Sequence, residues 1–527
     1  MKRLRSISQV VVRMAVIVSA SWLLSHAQAQ HRRSNVTSSV PRVWDDEAIA
    51  SLEVPLADPV GSPKHISADY YYRIPVRPIY KSYPVYAPGH EPPNYMEWLK
   101  QQPPEVLWDE SAHKPDLSSK ADWIAAGRIV FNAPIYYTTH RIAGMDDVRN
   151  PKWYQTAGVP VDKNGTVPFV RYVIRKKGEV ELGDFACGFC HTRVMPDGNV
   201  LEGAQGNFPF EKSKAWYFGK RLANPDDAGK AEADLRHLDH SLYAAPWQKP
   251  DPSAPIDNLT IEQLIAAHGA MPAEVTARHR SSLFYPLQIP DLIGVKDRRY
   301  LDHTGLQQQR SIADLMRYAA LNQGADDLAS YDGFVPADFR YSTKRPQPDD
   351  PIAVGGRYSD DQLFALATYL YSLEPPPNPN KFDALADRGK KIFVSEGCGS
   401  CHTPPLYTNN KLTPAEGFRV PPDARKQLDI APFSVGTDPK LTLKTRRGTG
   451  YYKVPSLKGV WYRSMFGHSG WCASLEDWFD PKRVEDNYQP TGFKPHGVQS
   501  YPVKGHTFGL DLSEEDRHAL IAFLKTL

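Results

Sequence analysis

The chain has 527 residues, with 63 Lys and Arg against 60 Asp and Glu and a formal net charge of +3. So small an imbalance over this length leaves no electrostatic footprint for nucleic-acid binding. The length predicts two to four domains, and 47 prolines with 27 tyrosines predict much irregular structure held by aromatic packing.

At the N-terminus, Lys2, Arg3 and Arg5 precede an apolar run over residues 14–24 and a small-x-small site, Ala27-Gln28-Ala29. That order predicts a secretory signal peptide over residues 1–29. Arg13 keeps the run well short of the roughly 20 residues that a membrane span needs. Since no later stretch is apolar enough to cross a bilayer, the expected location is the periplasm or the cell exterior. Residues 30–120 are Pro- and Tyr-rich with little periodicity and read as an extended arm wrapped over the surface.

The sharpest motif is Cys187-Gly188-Phe189-Cys190-His191, which returns as Cys398-Gly399-Ser400-Cys401-His402. Cys-x-x-Cys-His is the attachment signature of a c-type haem: the thiols add across the haem vinyl groups, and the His takes an axial position on iron. Composition alone yields one such motif on the order of 10⁻³ times per chain, so two are no accident. A zinc ribbon would bring its Cys pairs close in sequence, and these lie far apart. A redox dithiol would not need His after the second Cys, twice. The expected cofactors are two covalently bound haem c groups, with thioethers at Cys187, Cys190, Cys398 and Cys401 and proximal ligands His191 and His402. Haem attachment of this kind happens outside the cytoplasm, in keeping with the signal peptide. The fifth cysteine, Cys472, has no partner left and is expected as a small buried apolar residue.

Two further segments recur. Residues 359–373 match 513–527 without a gap; each starts with a Ser N-cap and acids in the first turn. Their apolar stripes are Leu366, Tyr369, Leu370, Leu373 and Leu520, Phe523, Leu524, Leu527. Residues 290–305 align with 455–470, sharing Pro, Leu, Gly, Val, Arg, His and Gly at identical spacing. The order haem motif, Pro-x-Leu-x-Gly segment, closing helix therefore occurs twice. The expected fold is mainly α: two cytochrome c-type haem domains with long irregular connections and an extended N-terminal arm. The first spans 121–375, enlarged by an insertion between 200 and 285. The second spans 381–527, after a Pro-rich linker at 374–380, and opens on a helix with Leu385, Ile392 and Phe393 near one face.

A side chain in the sixth iron position makes a haem an electron carrier, whereas an open position admits dioxygen or peroxide. In the second domain the candidates are Met465, His468, His496, His506 and His518. His518 is matched by Phe364 on the other closing helix and reads as structural or surface, and His468 is matched by His303. His506, in the loop just before the closing helix, is the leading candidate. Seven residues before Ser513 stands His506, but seven before Ser359 stands Ile352, which cannot ligate iron. The first haem is therefore expected to be open. Tyr300 and His303, in the repeated segment, are candidate proton-steering groups near it. Arg298 and Arg463 match between the repeats and are candidates for haem propionates or for ordinary surface ion pairs.

Over roughly residues 180–527 the chain resembles the bacterial di-haem cytochrome c peroxidase superfamily. The resemblance rests on the two Cys-x-x-Cys-His motifs, on Val454-Pro-Ser-Leu-Lys-Gly-Val460, on Gly467-His-Ser-Gly470 and on Ser474-Leu-Glu-Asp477. It implies two cytochrome c domains, one with a catalytic haem and one with an electron-transfer haem, and a Ca²⁺ site between them whose ligands it does not assign. The peroxidases usually carry a His shortly after the first motif and a Met one helix beyond the His-x-Gly element. Here both regions lack the residue, and Lys482 stands roughly at the Met position. The long gap between motifs and the tail around Gly505-His506 are closer to the rubber oxygenase branch, secreted di-haem dioxygenases that cleave poly(cis-1,4-isoprene) with dioxygen at the first haem. That branch implies His506 as distal ligand of the second haem and leaves the organic substrate of this chain open.

Three functions follow as expectations. One is an oxidoreductase, a dioxygenase or di-haem peroxidase, that activates dioxygen or peroxide at the first haem. The second is an electron-transfer cytochrome with both irons six-coordinate, and the third is a non-catalytic sensor or scaffold. The insertion favours catalysis, because a carrier needs little beyond a haem and a docking surface. The expected partner is a small redox protein or a quinone-linked electron donor or acceptor.

Overall fold

The computed structural model describes residues 40–58, 65–137, 142–245, 248–278, 280–322 and 356–527. The expected signal peptide and Ile352 lie outside these residues. Among them, the helices of nine residues or more are α1 (Lys120–Asn132), α2 (Phe210–Leu222), α3 (Ala228–Tyr243), α4 (Ile261–Gly269), α5 (Ile312–Asn322), α6 (Asp360–Tyr371), α7 (Ala384–Ser395) and α8 (Glu514–Lys525). None is long and apolar enough to cross a membrane.

Two helix pairs, α1 with α6 and α7 with α8, stand beside the two Cys-x-x-Cys-His motifs. Each pair crosses at a glycine. A Cβ on Gly127 would lie 2.0 Å from the Ala365 carbonyl oxygen and 2.6 Å from the Tyr369 Cβ; one on Gly389 would lie 1.8 Å from the Ala519 oxygen and 2.8 Å from the Phe523 Cβ. Ala365 and Ala519, like Tyr369 and Phe523, are equivalent positions of the repeated closing helix. Both closing helices carry their Ser N-caps: Ser359 accepts from the Gln362 amide and Ser513 from the Asp516 amide. Their buried stripes include Leu366, Tyr369 and Leu370, and Leu520, Phe523 and Leu524. On α7 the buried stripe is Ala386, Gly389 and Phe393. Leu385, expected on that face, is 45% exposed, because the close crossing demands small residues where the helices touch.

Alongside the helices stand, among the described residues, five antiparallel sheets, four of them two-stranded. The largest has strands β1 (Ser82–Tyr86), β2 (Tyr136–Tyr137), β3 (Thr166–Lys176) and β4 (Glu179–Asp184), in the order β1-β3-β4-β2. Register pairs Ser82 with Val173, Arg171 with Gly183 and Tyr136 with Asp184. The Val-, Phe-, Tyr- and Ile-rich run of β3 suits a pleated, half-buried surface. Strand β4 ends three residues before Cys187, so the sheet positions the first motif.

The segment expected as a surface arm contributes to the interior. Val43, Trp44, Ile49, Leu52, Tyr71 and Trp108 are buried in one cluster with α1, α5 and α6, and Trp44 stacks on Tyr71 at 4.4 Å. These aromatics come from short, non-periodic pieces that supply packing area without announcing an element. The insertion folds as α2, α3 and α4. Its core continues into Trp471, Cys472 and Tyr488, where Cys472 is fully buried and unpaired.

Candidate functional site

The first motif begins where Phe185, at φ 59, turns the chain out of β4. Residues Cys187–Cys190 form one helical turn. Phe189 anchors it: the ring is buried, 4.5 Å from Phe208 and stacked on Phe185 at 5.4 Å. His191 Nδ1 lies 3.0 Å from the Pro290 carbonyl oxygen. A carbonyl only accepts, so Nδ1 carries the proton and Nε2 keeps its lone pair, the tautomer that a metal-binding imidazole needs. Burial, with the Arg278 and Arg298 guanidiniums nearby, pushes this imidazole down to about 4, against the pull of the Pro290 bond. Arg278 also reaches Cys190 Sγ, at 3.8 Å.

The second motif follows α7 through Gly397, at φ 71. His402 Nδ1 lies 3.1 Å from the Tyr407 carbonyl, and the Pro455 carbonyl faces it as well. The same tautomer results. Burial pushes the Cys187 thiol up to about 12 and the Cys398 thiol up to about 11. These are not the low-pKa thiols of redox dithiol motifs.

Beside the second motif lies a cavity of about 270 Å³, lined by Cys398, Cys401 and His402 and by apolar side chains such as Leu457, Val460 and Leu524. His506 enters the same cavity from the loop before α8. The His402 and His506 ring centres are 6.2 Å apart. Two imidazoles bonded at about 2 Å to one metal between them have ring centres about 6 Å apart. His506 Nδ1 is buried with no hydrogen-bond partner among the described residues. Burial, with His402 and Arg483 close by, pushes its ring down to about 4, so it too is a neutral donor. Two thiols, two opposed neutral imidazoles and an apolar wall fit a c-type haem.

The His506 backbone is strained, at φ 48, a left-handed conformation that costs a non-glycine residue of order 1 kcal/mol or more. Arg483 holds it there. This side chain is fully buried and donates to the carbonyls of Trp478 (2.7 Å), Val503, Gly505 (3.1 Å) and His506 (2.7 Å). Sequence reasoning passed over Arg483, since a lone Arg in an irregular segment gives no periodic signal.

The repeated Pro-x-Leu-x-Gly segments perform the same local tasks twice. Pro290 and Pro455 present carbonyls to His191 and His402. Gly294 and Gly459 turn at φ 72 and 76, and Gly305 and Gly470 at φ 64 and 70. Arg298 donates to the carbonyls of Asp291 and Ile293, seven and five residues back, and Arg463 does so to Ser456 and Lys458. Arg463 lines the second cavity, and Arg298 lies near both His191 and Lys453.

His303 lines the second cavity and donates from Nε2 to the Gln288 carbonyl at 2.7 Å. Tyr300 is buried in an apolar cluster with Val54, Leu412 and Tyr451. His468 also lines the second cavity, its ring stacked on Tyr452 at 4.4 Å. Met465 packs against the core of the insertion, while His496 and His518 are exposed. Among the described residues no group of three or more His, Cys, Asp or Glu is placed to hold a metal ion, so the Ca²⁺ expectation acquires no ligand set.

Neither a family model nor a curated relative matches the chain. Among solved structures, 18 chains match. One is Kuenenia stuttgartiensis hydrazine synthase, pressurized with xenon: identity is 17%, covering 46% of this chain and 72% of that one, with a TM-score of 0.27. Another is a MauG-like protein associated with microbial copper homeostasis: identity is 16%, covering 32% of this chain and 56% of that one, with a TM-score of 0.22.

Proposed function

We propose that the chain is a periplasmic or secreted di-haem c-type cytochrome oxidoreductase, with two mainly α cytochrome c-type haem domains at 121–375 and 381–527. One haem is held by Cys187, Cys190 and His191 and is open to dioxygen or peroxide. The other is held by Cys398, Cys401, His402 and His506 and stores and passes electrons, exchanged with a small redox protein or a quinone-linked partner. When bound, haem supplies one-electron chemistry and, where a coordination position is free, activation of dioxygen or peroxide.

The observation that carries this reading is the facing of His402 and His506, 6.2 Å apart, in a cavity that also receives both thiols of the second motif. The chain's own residues have clear tasks. Pro290, Tyr407 and Pro455 fix the tautomers of the proximal imidazoles. Arg483 aims His506, and apolar side chains such as Leu457, Val460 and Leu524 form much of the cavity wall. His506 has no counterpart in the first repeat, which supports an open first iron.

The test is electron paramagnetic resonance of the oxidised protein with and without imidazole. One high-spin signal that imidazole converts to low-spin is expected. Two low-spin signals indifferent to imidazole would leave an electron-transfer cytochrome instead.

A further inference from the structure

The second cavity is lined by Lys453, Arg463 and Lys504 and, among the described residues, by no Asp or Glu. Lys504 is exposed and pairs with Asp486 at 3.6 Å, which leaves Lys453 and Arg463 as the inward cations without an acid of their own. Lys453 Nζ donates to the backbone carbonyls of Leu301 and Tyr300, at 3.0 and 3.4 Å. Arg463 Nη2 donates to two backbone carbonyls, and its Nε is buried without a partner among the described residues. Arg298 adds a third cation beside them.

Two acids lie close to Lys453, Asp291 and Asp302, and both are engaged elsewhere. Asp291 accepts from the Tyr462 hydroxyl at 2.8 Å and the Ile293 amide at 2.9 Å. Asp302 accepts from the Thr304 hydroxyl at 3.0 Å and from the amides of Leu306 at 2.9 Å and Gln307 at 3.1 Å. An exposed Asp297 faces Arg298, but Lys453 and Arg463 donate, among the described residues, to backbone carbonyls alone, an electrostatic strain that a carboxylate in the cavity would relieve. The strain registers on Lys453, which burial and the two guanidiniums push down to about 7.

We infer that Lys453 and Arg463 form a carboxylate receptor in the wall of the second cavity, and that its ligands are the propionates of the haem carried by Cys398 and Cys401. The inference rests on the reading of that motif as a haem site. A ligand with two carboxylates, tethered in this cavity by its thioethers, would bring one carboxylate to Lys453 and one to Arg463. Lys453 was not among the propionate candidates visible in the sequence, because the first repeat has no Lys at the equivalent position.

The test is a potentiometric titration of the haem-loaded full-length protein, wild type against Lys453→Met, Lys453→Arg and Arg463→Gln. Removing a cation beside the haem disfavours the more electron-rich ferrous state. Lys453→Met should shift the second haem's equilibrium about tenfold toward ferric, about 59 mV in potential. Lys453→Arg should restore it, and Arg463→Gln should move it in the same direction as Lys453→Met. The low-spin signal from His402 and His506 reports that each variant is folded. A wild-type potential in both charge-removing variants, with that signal intact, would overturn the inference. So would a wild-type potential that responds to millimolar succinate or phosphate, since a free anion would then occupy the cations. Absence of covalent haem in a pyridine haemochrome assay would instead overturn the underlying haem reading.

Discussion

His402 and His506 line the second cavity together with ring centres 6.2 Å apart, although one belongs to the second Cys-x-x-Cys-His motif and the other to a strained loop far along the chain. If an iron lies between them, His506→Ala vacates one axial position. The second haem should change from low-spin to high-spin and become responsive to imidazole, while covalent haem content is unchanged. His496→Ala and His518→Ala remove exposed imidazoles and should leave the spectrum as it is. A low-spin second haem surviving in His506→Ala would assign the ligand elsewhere, with His468 and Met465 next in line.

A glycine at a helix crossing and a glycine on an open helix face predict opposite effects for the same substitution. Gly389→Ala puts a methyl group 1.8 Å from the Ala519 oxygen, and Gly127→Ala puts one 2.0 Å from the Ala365 oxygen. Backbone must move in either case, so each should cost about 1–3 kcal/mol, toward the upper end. Gly219 on α2 has nothing within 4 Å of an added Cβ. There Ala should stabilise by about 0.5–1 kcal/mol, since glycine is a poor helix former. Chemical denaturation of the three variants checks the order, and a tolerated Gly389→Ala would show that α7 and α8 do not cross as closely as described.

The repeat made much of this legible. Cys-x-x-Cys-His, the Ser caps and the Pro-x-Leu-x-Gly segments are local signals, and His506 stood out by its place in the loop just before the closing helix. What the sequence hid is long-range. Trp44 and Tyr71 pack on α1 and α6 from a segment with no periodicity, so an arm expected on the surface supplies core. The role of Pro455 is a carbonyl's, and no residue identity announces a carbonyl's direction. Arg483 gains its meaning from four backbone oxygens, one at the end of the helical turn Leu475–Trp478 and three in the loop before α8. Leu385 follows helical periodicity yet is exposed, because the neighbouring helix approaches the face with the smallest residues, not the most apolar ones.

Arg483 offers a test of positioning that spares the ligand itself. Arg483→Met keeps much of the side chain's bulk but strands the carbonyls of Trp478, Val503, Gly505 and His506. Each buried group left unpaired costs roughly 1–3 kcal/mol, so a loss of several kcal/mol in stability is expected. The strained φ of His506 would also lose its restraint. The second haem should then show a mixture of low- and high-spin signals, and added imidazole should drive it back to low-spin. A variant that is destabilised but purely low-spin would confine Arg483 to a structural role.

The insertion carries its own pH signature. Glu211 and Lys214 on α2, Asp239 on α3 and His268 on α4 form a fully buried network. Lys214 is 3.1 Å from both carboxylates, and His268 is 2.7 Å from Glu211 and 2.8 Å from Asp239. Burial alone would push both carboxylates up, but the His268 and Lys214 charges outweigh it; Asp239 falls to about 2 and Glu211 moves the same way. Burial would push His268 down, but the Asp239 charge outweighs it and the imidazole rises. A carboxylate held low contributes stability that is present above its unfolded value, about 4, and lost as pH falls through its folded value. An imidazole held high contributes stability that is present below about 6.5 and lost as pH rises through its folded value. Stability from this network should therefore be greatest between about pH 4.5 and 6.5. His268→Gln should cost about 3–5 kcal/mol at pH 6, because it leaves one buried carboxylate charge unbalanced, and it should flatten the decline above pH 6.5. Denaturation midpoints measured from pH 5 to pH 9 decide this, and an alkaline slope shared by wild type and His268→Gln would place the titrating group outside the network.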